Sequence, residues 1–387
     1  MKTERIDTVV IGGGQAGLAA GYYLSQQKRD FVILDAHGRA GDSWRKRWDS
    51  LRLFTPTSFN HMPGMLFPKP RDRFPAKNEM ADYLESYAAH FQLPMLFNTK
   101  VDELARDGDS YLIVAGTLRL KANHVIVATG AHPTPQVPGF ASQLDPGINQ
   151  LHSVDYRNPS QLRDGAVLIV GAGNSGVAIA LDLAPQHFVW LAGRDTGFIP
   201  AKFGRFSYEL GVVVFQALMQ RLTVDTPPGR WIVRRAREFT GGHPVVGVTS
   251  EDFLQAGVQR VPRVLGVSKG QPMLDDGRVL DVANIIWSTG FVRDYRWIKL
   301  PIFDAKGGPI QHRGVVQGEP GLYFTGVPFQ SSLLSGLVAG AGVDAKYIAK
   351  QITLRAKSID LTRRGESNKL SSPVSSRSEA ATSSKEF

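Results

Sequence analysis

The sequence predicts an α/β protein of two parallel-sheet units, the second inserted in the first, with a small antiparallel β meander beside them. Three observations predict it. An apolar strand that runs into clustered glycines and then a helical stretch occurs at Ile6–Leu34 and again at Val167–Leu191. Short alternating runs separated by turn residues fill Val101–Val127. A strand ending in Thr-Gly occurs at His124–Gly130 and again at Ile285–Gly290, and a further strand precedes Gly326, where the chain returns to the first unit.

The elements follow in order. Ile6–Ile11 is an apolar strand leading into Gly12–Gly14. The helical stretch Ala16–Gln26 and the strand Phe31–Leu34, closed by Asp35, complete a βαβ unit with a right-handed crossover. Asn78 is a plausible N-cap for an amphipathic helix in which Met80, Leu84, Tyr87, Ala88 and Phe91 recur at helical spacing. The meander turns at Asp107-Gly108-Asp109 and at Gly116. A proline-rich link, Pro133–Pro138, follows Thr129-Gly130 and sets a domain boundary between Gly130 and Asp164. Strand Val167–Val170, helix Val177–Leu183 and strand Phe188–Leu191 then repeat the opening unit. Leu322–Thr325 is one more strand, and Leu333–Leu354 reads as a closing helix. After Arg364 the composition shifts, and seven of the last 18 residues are serine, too polar to offset ordering entropy. The expected division is 1–155 and 285–354 for the first domain, 156–284 for the insert, and 355–387 for a disordered Ser-rich tail.

Composition narrows the chemistry. The 387 residues are 42% hydrophobic and 21% charged, ordinary values for a soluble globular protein, and no apolar run is long enough to span a bilayer. Met1–Asp7 runs into a strand without a leader pattern, so a cytoplasmic location is expected. There is no cysteine, which excludes dithiol, disulfide and thiolate-metal chemistry. The nine histidines show no ligand spacing, and no metal is expected. The net charge of +10 is compatible with an anionic ligand, a membrane surface, nucleic acid or simple solubility. It concentrates in Lys202–Arg237 and Arg355–Phe387. Neither segment has a recognised nucleic-acid motif, so both read as solvated basic surface with no nucleic-acid partner.

Gly12-Gly13-Gly14-Gln15-Ala16-Gly17 matches G-x-G-x-x-G between a strand and a helix, the context in which the pattern has a mechanism. Gly12 permits the tight turn, Gly14 lets backbone approach a pyrophosphate, and Gly17 lets helix and strand pack closely. Asp35 lies 23 residues beyond Gly12, near the spacing of a carboxylate that binds an adenosine ribose. Gly171-Ala172-Gly173-Asn174-Ser175-Gly176 repeats the pattern, and the same offset lands on Arg194, a guanidinium suited to a 2′-phosphate. Asp195 next to it keeps a ribose hydroxyl in play, but NADPH is favoured over NADH. Both units thus read as Rossmann-like dinucleotide-binding domains. The simplest division of labour is a resident FAD in the first and a visiting NADPH in the second.

These residues and Gly41-Asp42-Ser43-Trp44-Arg45-Lys46-Arg47-Trp48-Asp49-Ser50-Leu51 resemble the two-dinucleotide flavoproteins. Within them the chain is similar to the flavin-containing monooxygenases and their relatives, the CzcO-type flavoproteins and plant YUCCA enzymes. The similarity covers roughly Ile6–Lys350. It implies that Trp44 and Arg45 lie against the FAD. His152 and Tyr156 resemble the second half of the family motif F-x-G-x-x-x-H-x-x-x-Y/F, whose first half is replaced by Pro146 and Ile148. His152 is read as anchoring a linker. Phe54 stands where the family often has Asn near the flavin ring, and Gln330–Leu333 is expected to face that ring.

The residues expected at the cofactors are Gly12, Gly14, Gln15, Ala16, Gly17, Asp35, Ala36, Ser43, Trp44, Arg45, Ala128, Thr129, Gly130, Gly171, Gly173, Asn174, Ser175, Gly176, Arg194, Thr289, Gly290, Gly326, Gln330 and Leu333. No catalytic residue is nominated, because the cofactor carries the chemistry. The resemblance implies a monooxygenase in which NADPH reduces FAD and a flavin C4a-hydroperoxide passes one oxygen of O2 to a small organic substrate. An NAD(P)H oxidase or electron-transfer reductase, and a non-catalytic transporter-associated redox sensor, are the alternatives. Val212–Leu222 reads as a core or dimer helix before a substrate gate, and a homodimer is left open.

Overall fold

The structure is a computed structural model that describes residues 3–68, 74–130, 134–199, 214, 217–219, 221–238 and 245–370. Two sheets organise it. The first is built from β1 (Glu4–Ile11), β2 (Phe31–Leu34), β3 (Met95–Leu96), β4 (Glu103–Asp107), β5 (Ser110–Ala115) and β6 (Leu118–Val127). The second contains β7 (Asn149–His152), β8 (Val167–Val170), β9 (Val189–Ala192), β10 (Gln259–Val261) and β11 (Asn284–Trp287). Three strands return to the first sheet: β12 (Gln311–His312), β13 (Val315–Val316) and β14 (Leu322–Phe324). The order in the first is β12-β13-β14-β6-β1-β2-β3, with β5 joining β6 and β4 joining β5 antiparallel, so the meander is present. The second runs β10-β9-β8-β11-β7 and is parallel throughout. The chain is thus an α/β protein with two Rossmann-like units.

The first core shows why these residues make strands. Along β1, Val10 joins Ile33 and Ile126 beneath helix α1 (Gln15–Gln26) and helix α5 (Val338–Leu370), which contribute Leu18, Leu24, Ala345, Ile348 and Ile352. Val9 and Ile11 face the other way, with Val125, Val127, Tyr111 and Ile113 of the meander. A strand buried on both faces reads as a continuous apolar run, which is how β1 appears in sequence. Helix α2 (Lys77–His90) adds Met80, Tyr83, Leu84 and Tyr87.

Three sequence expectations are corrected. The N-cap of α2 is Ala76 in place of Asn78: the Glu79 carboxylate reaches back to accept from the Ala76 N–H at 3.0 Å, while Asn78 lies inside the helix. The return to the first domain does not begin at 285, because β11 pairs with β8 and β7 in the second sheet, and β7, placed before the 155/156 boundary, belongs there too. The closing helix starts at Val338 and continues through Leu370, well into the expected tail. The remainder of the Ser-rich segment lies outside the described residues, as do residues 212, 213, 215, 216 and 220 of Val212–Leu222. Among the described residues no helix is long and apolar enough to cross a membrane.

Candidate cofactor sites

Helices α1 and α3 (Asn174–Leu183) begin in the same way. Gly14 and Gly173 are their N-caps, with nearly identical extended backbone and no capping side chain, and a Cβ at either would meet nothing within 4 Å. No side chain caps the first N–H groups of either helix among the described residues, and the helix dipole there favours an anion. Gly12 and Gly171 have φ of +110° and +113°. A Cβ on Gly12 would sit 2.5 Å from the Ala128 carbonyl oxygen, and one on Gly171 would sit 2.2 Å from that of Ser288. Cβ atoms on Gly17 and Gly176 would meet the Gly12 and Gly171 carbonyl oxygens at 1.9 and 1.8 Å. Thus β11, with Ser288-Thr289-Gly290, crosses the second glycine loop as β6, with Ala128-Thr129-Gly130, crosses the first. The repeat of Thr-Gly in sequence is the same junction built twice.

Around the first loop, Asp35 is buried at the end of β2 and accepts from Gly13 N–H at 2.7 Å, His37 N–H at 2.8 Å and the His37 ring at 3.0 Å. Burial alone would raise its pKa, but the His37 and Gly13 hydrogen bonds hold the carboxyl below its ordinary value, so it is an anion. Ala36 beyond it is exposed. Gln15 opens α1, and Ala16 packs where a Cβ on Gly326 would come within 2.7 Å, so β14 delivers Gly326 to the same place. Thr325 Oγ1 beside it is buried without a hydrogen-bond partner. Ser43 and Trp44 are half-buried. Arg45 is a strut: its guanidinium donates to Ala40 O, Asp42, Asp82 and Glu85, bracing the loop on α2. Lys77 completes that brace through the carbonyls of Arg45 and Arg47 and the Asp49 carboxylate.

Lys46 of this motif is exposed and makes no side-chain hydrogen bond or ion pair among the described residues, and the half-buried cation without a partner there is Arg47. Its side chain makes no hydrogen bond or ion pair among the described residues, and burial, reinforced by Arg157, lowers its pKa. Sequence reading passed over Arg47, although a second arginine two residues after Arg45 was the available signal. Gln330 turns inward, with its Nε2 2.4 Å from where a Gly314 Cβ would lie, and that nitrogen has no hydrogen-bond partner among the described residues. Ser331 donates to the buried Asp344 carboxylate and shares its hydroxyl with Ser335, while Leu333 is half-buried at the loop surface. Phe54 is 41% exposed, and the nearby Asn60 amide is consumed by Thr55 and Pro56.

Around the second loop, Asn174 Oδ1 accepts from Val246 N–H at 3.1 Å and Ser175 is exposed. Arg194, exposed just past β9, makes no hydrogen bond or ion pair among the described residues. Its neighbour Asp195 is engaged, accepting from Gly197 N–H at 2.9 Å and lying 3.9 Å from Arg260 of β10. The sequence could not reveal Arg260, because strand pairing alone brings it beside β9, opposite Leu191. Between the two sites, the His152 ring meets Gly290 O at 3.1 Å and accepts from Val154 N–H at 3.2 Å. Burial lowers its pKa, so the ring is neutral. Tyr156 is fully buried and donates to Asp182 at 2.7 Å. Both residues anchor the linker onto the second unit.

The family described as pyridine nucleotide-disulphide oxidoreductase matches residues 9–214. A CzcO-like oxidoreductase of Geobacillus kaustophilus is 37% identical over 354 residues, covering 90% of this chain and 98% of that one. The chain belongs to this family, as a CzcO-type flavoprotein oxidoreductase. It is also 30% identical to the probable indole-3-pyruvate monooxygenase YUCCA1 of Arabidopsis thaliana, over 73% of this chain and 75% of that one. Among solved structures, a flavin-containing monooxygenase from Stenotrophomonas maltophilia superposes with a TM-score of 0.74 at 25% identity, over 92% of this chain and all of the other. The disulphide chemistry in the family description has no thiol to run on in this CzcO-type chain, which has no cysteine.

Proposed function

We propose that this CzcO-type protein is an FAD-dependent, NADPH-consuming monooxygenase. The observation that carries the reading is the pair of congruent glycine loops, each opening a helix whose N-terminus no side chain caps, of which the second is followed by Arg194, unpartnered among the described residues. FAD fits the first loop: the open N–H groups of α1 suit its pyrophosphate, and Asp35 suits its ribose. NADPH fits the second. Arg194 is available for a 2′-phosphate, Arg260 adds positive charge, and Asp195, already hydrogen-bonded, does not stand alone against that dianion. When bound, the flavin would accept hydride from NADPH and activate O2, so that one oxygen atom goes to a small organic substrate and the other leaves as water.

The chain's own residues bind and orient. His152 and Tyr156 anchor the linker onto the second unit, through Gly290 O and the Asp182 carboxylate, and neutral His152 thereby fixes Gly290 beside the linker. Similarity to the Stenotrophomonas enzyme and to YUCCA1 supports oxygen transfer. A second reading, an NADPH oxidase, is favoured by Phe54, since its phenyl ring offers no donor where the family resemblance expects an Asn near the flavin ring, and the nearby Asn60 amide is committed to Thr55 and Pro56. The deciding measurement is the ratio of hydrogen peroxide formed to NADPH consumed by FAD-loaded protein, with and without sulfides, amines and ketones. A fall in the ratio with an oxygenated product supports the monooxygenase. A ratio near unity with every compound overturns it in favour of the oxidase.

A further inference from the structure

We infer that helix α4 (Pro227–Glu238) is a docking face for an anionic membrane surface. The inference is independent of the proposed reaction. Thr226–Arg237 holds four arginines and no acid. Gly229 and Val233 form the buried side of the helix, and Arg230, Trp231, Arg234 and Arg235 are exposed on the other. Trp231 is 67% exposed, whereas the other five tryptophans are buried or half-buried. Just upstream, Val214 and Leu218, four residues apart, are 57% and 50% exposed. An indole ringed by guanidiniums suits the headgroup layer of a bilayer, where the ring enters the interface while the cations meet lipid phosphates.

The apolar members select the occupant. A duplex nucleic-acid backbone would reward the arginines alone and leave the Trp231 indole in water, whereas a bilayer interface rewards both. A second copy meeting this face across a two-fold axis would set arginine against arginine. The face is also firmly mounted. Thr226 Oγ1 accepts from Gly229 N–H at 3.2 Å at the start of the helix, and Arg230 Nε donates to Val224 O at 3.2 Å. Val224 N–H donates to Ser331 O at 2.8 Å, and Asp225 pairs with His312 and Arg313 beside β12. Docking through α4 would therefore hold the loop that carries Ser331 at a fixed attitude to the membrane.

The test is co-sedimentation of the full chain with vesicles of phosphatidylcholine alone or with one quarter phosphatidylglycerol, at physiological salt. The expected result is binding only to the anionic vesicles, weakened by added salt. Arg235→Gln should lower the affinity about fivefold, the effect of one basic residue near such a surface. Brominated lipid should quench the wild-type fluorescence on binding, and Trp231→Phe, which keeps the fold at an exposed site, should remove that quenching. The inference is overturned by failure to bind, by equal binding to neutral vesicles, or by binding that neither variant alters. Tighter binding to duplex DNA or RNA than to the anionic vesicles, or a dimer that Trp231→Ala dissolves, likewise overturns it in favour of that other partner.

Discussion

Arg194 and Gly176 show how far a single residue carries the cofactor assignment. A hydrogen bond to a charged group is worth about 1.5–3 kcal/mol, so Arg194→Gln should lower kcat/KM for NADPH roughly ten- to a hundredfold and leave that for NADH nearly unchanged. Equal losses with both nucleotides would show that Arg194 reads no 2′-phosphate. The glycines test the two loops separately. A methyl at Gly176 would lie 1.8 Å from the Gly171 carbonyl oxygen, and one at Gly17 would lie 1.9 Å from that of Gly12. Gly176→Ala is expected to abolish nicotinamide-nucleotide binding while flavin is retained, and Gly17→Ala to yield protein without flavin. Purified variants scored by flavin absorbance and by NADPH titration check this, and loss of both cofactors in both variants would refute separate sites. Arg194 was legible in sequence because its offset copies that of Asp35. Arg47 and Arg260 were not: whether a cation is partnered depends on which carboxylates the fold brings near it.

At the scale of elements, β6 carries a titration built into the first sheet. His124, opposite Thr8 of β1, is buried, and that burial pushes its pKa from 6.5 down to about 4, with Asp7 opposing the shift and Arg29 and Arg355 reinforcing it. The folded value lies below the unfolded one, so the unfolded chain takes up the proton first. The stability tied to a neutral His124 is complete above pH 6.5 and is lost as the pH falls toward 4. Thermal unfolding should show Tm falling across that window, and His124→Gln should flatten the fall. An unchanged slope would place the titration elsewhere. Strand and helix cores were legible in sequence at this scale, with β2 and β8 matching to the residue. Helix ends were less so. The Ala76 cap depends on a carboxylate three residues on, and α5 continues beyond the point at which composition suggested a stop.

Over the whole molecule, the described residues bind the insert to the first unit on two sides. The linker side uses Asn158 on Asp49 at 2.8 Å, with Asp49 N–H donating to Arg157 O at 2.7 Å. The far side uses Asp225 against His312 and Arg313, whose guanidinium also lies 4.0 Å over the Tyr347 ring of α5. Asp225→Ala should loosen the far attachment alone. Limited proteolysis is expected to cut near 222–238 roughly twofold to fivefold faster, in line with the modest worth of a partly exposed ion pair, while flavin content stays unchanged. Unaltered cutting would show that Val224 on Ser331 suffices. Sequence by itself determined the two-unit α/β plan, the glycine loops, the acid Asp35 at the end of the second strand and the absence of cysteine chemistry, because each rests on local periodicity, fixed spacing or residue count. Tertiary structure decided that β7 and β11 belong to the second sheet, that Arg45 is a strut and Arg47 has no partner among the described residues, and that Arg260 and Asp225 meet partners far away in the chain. Strand pairing and ion pairing join residues across long loops, and hydrophobic pattern, which reports only which face is buried, does not specify against what.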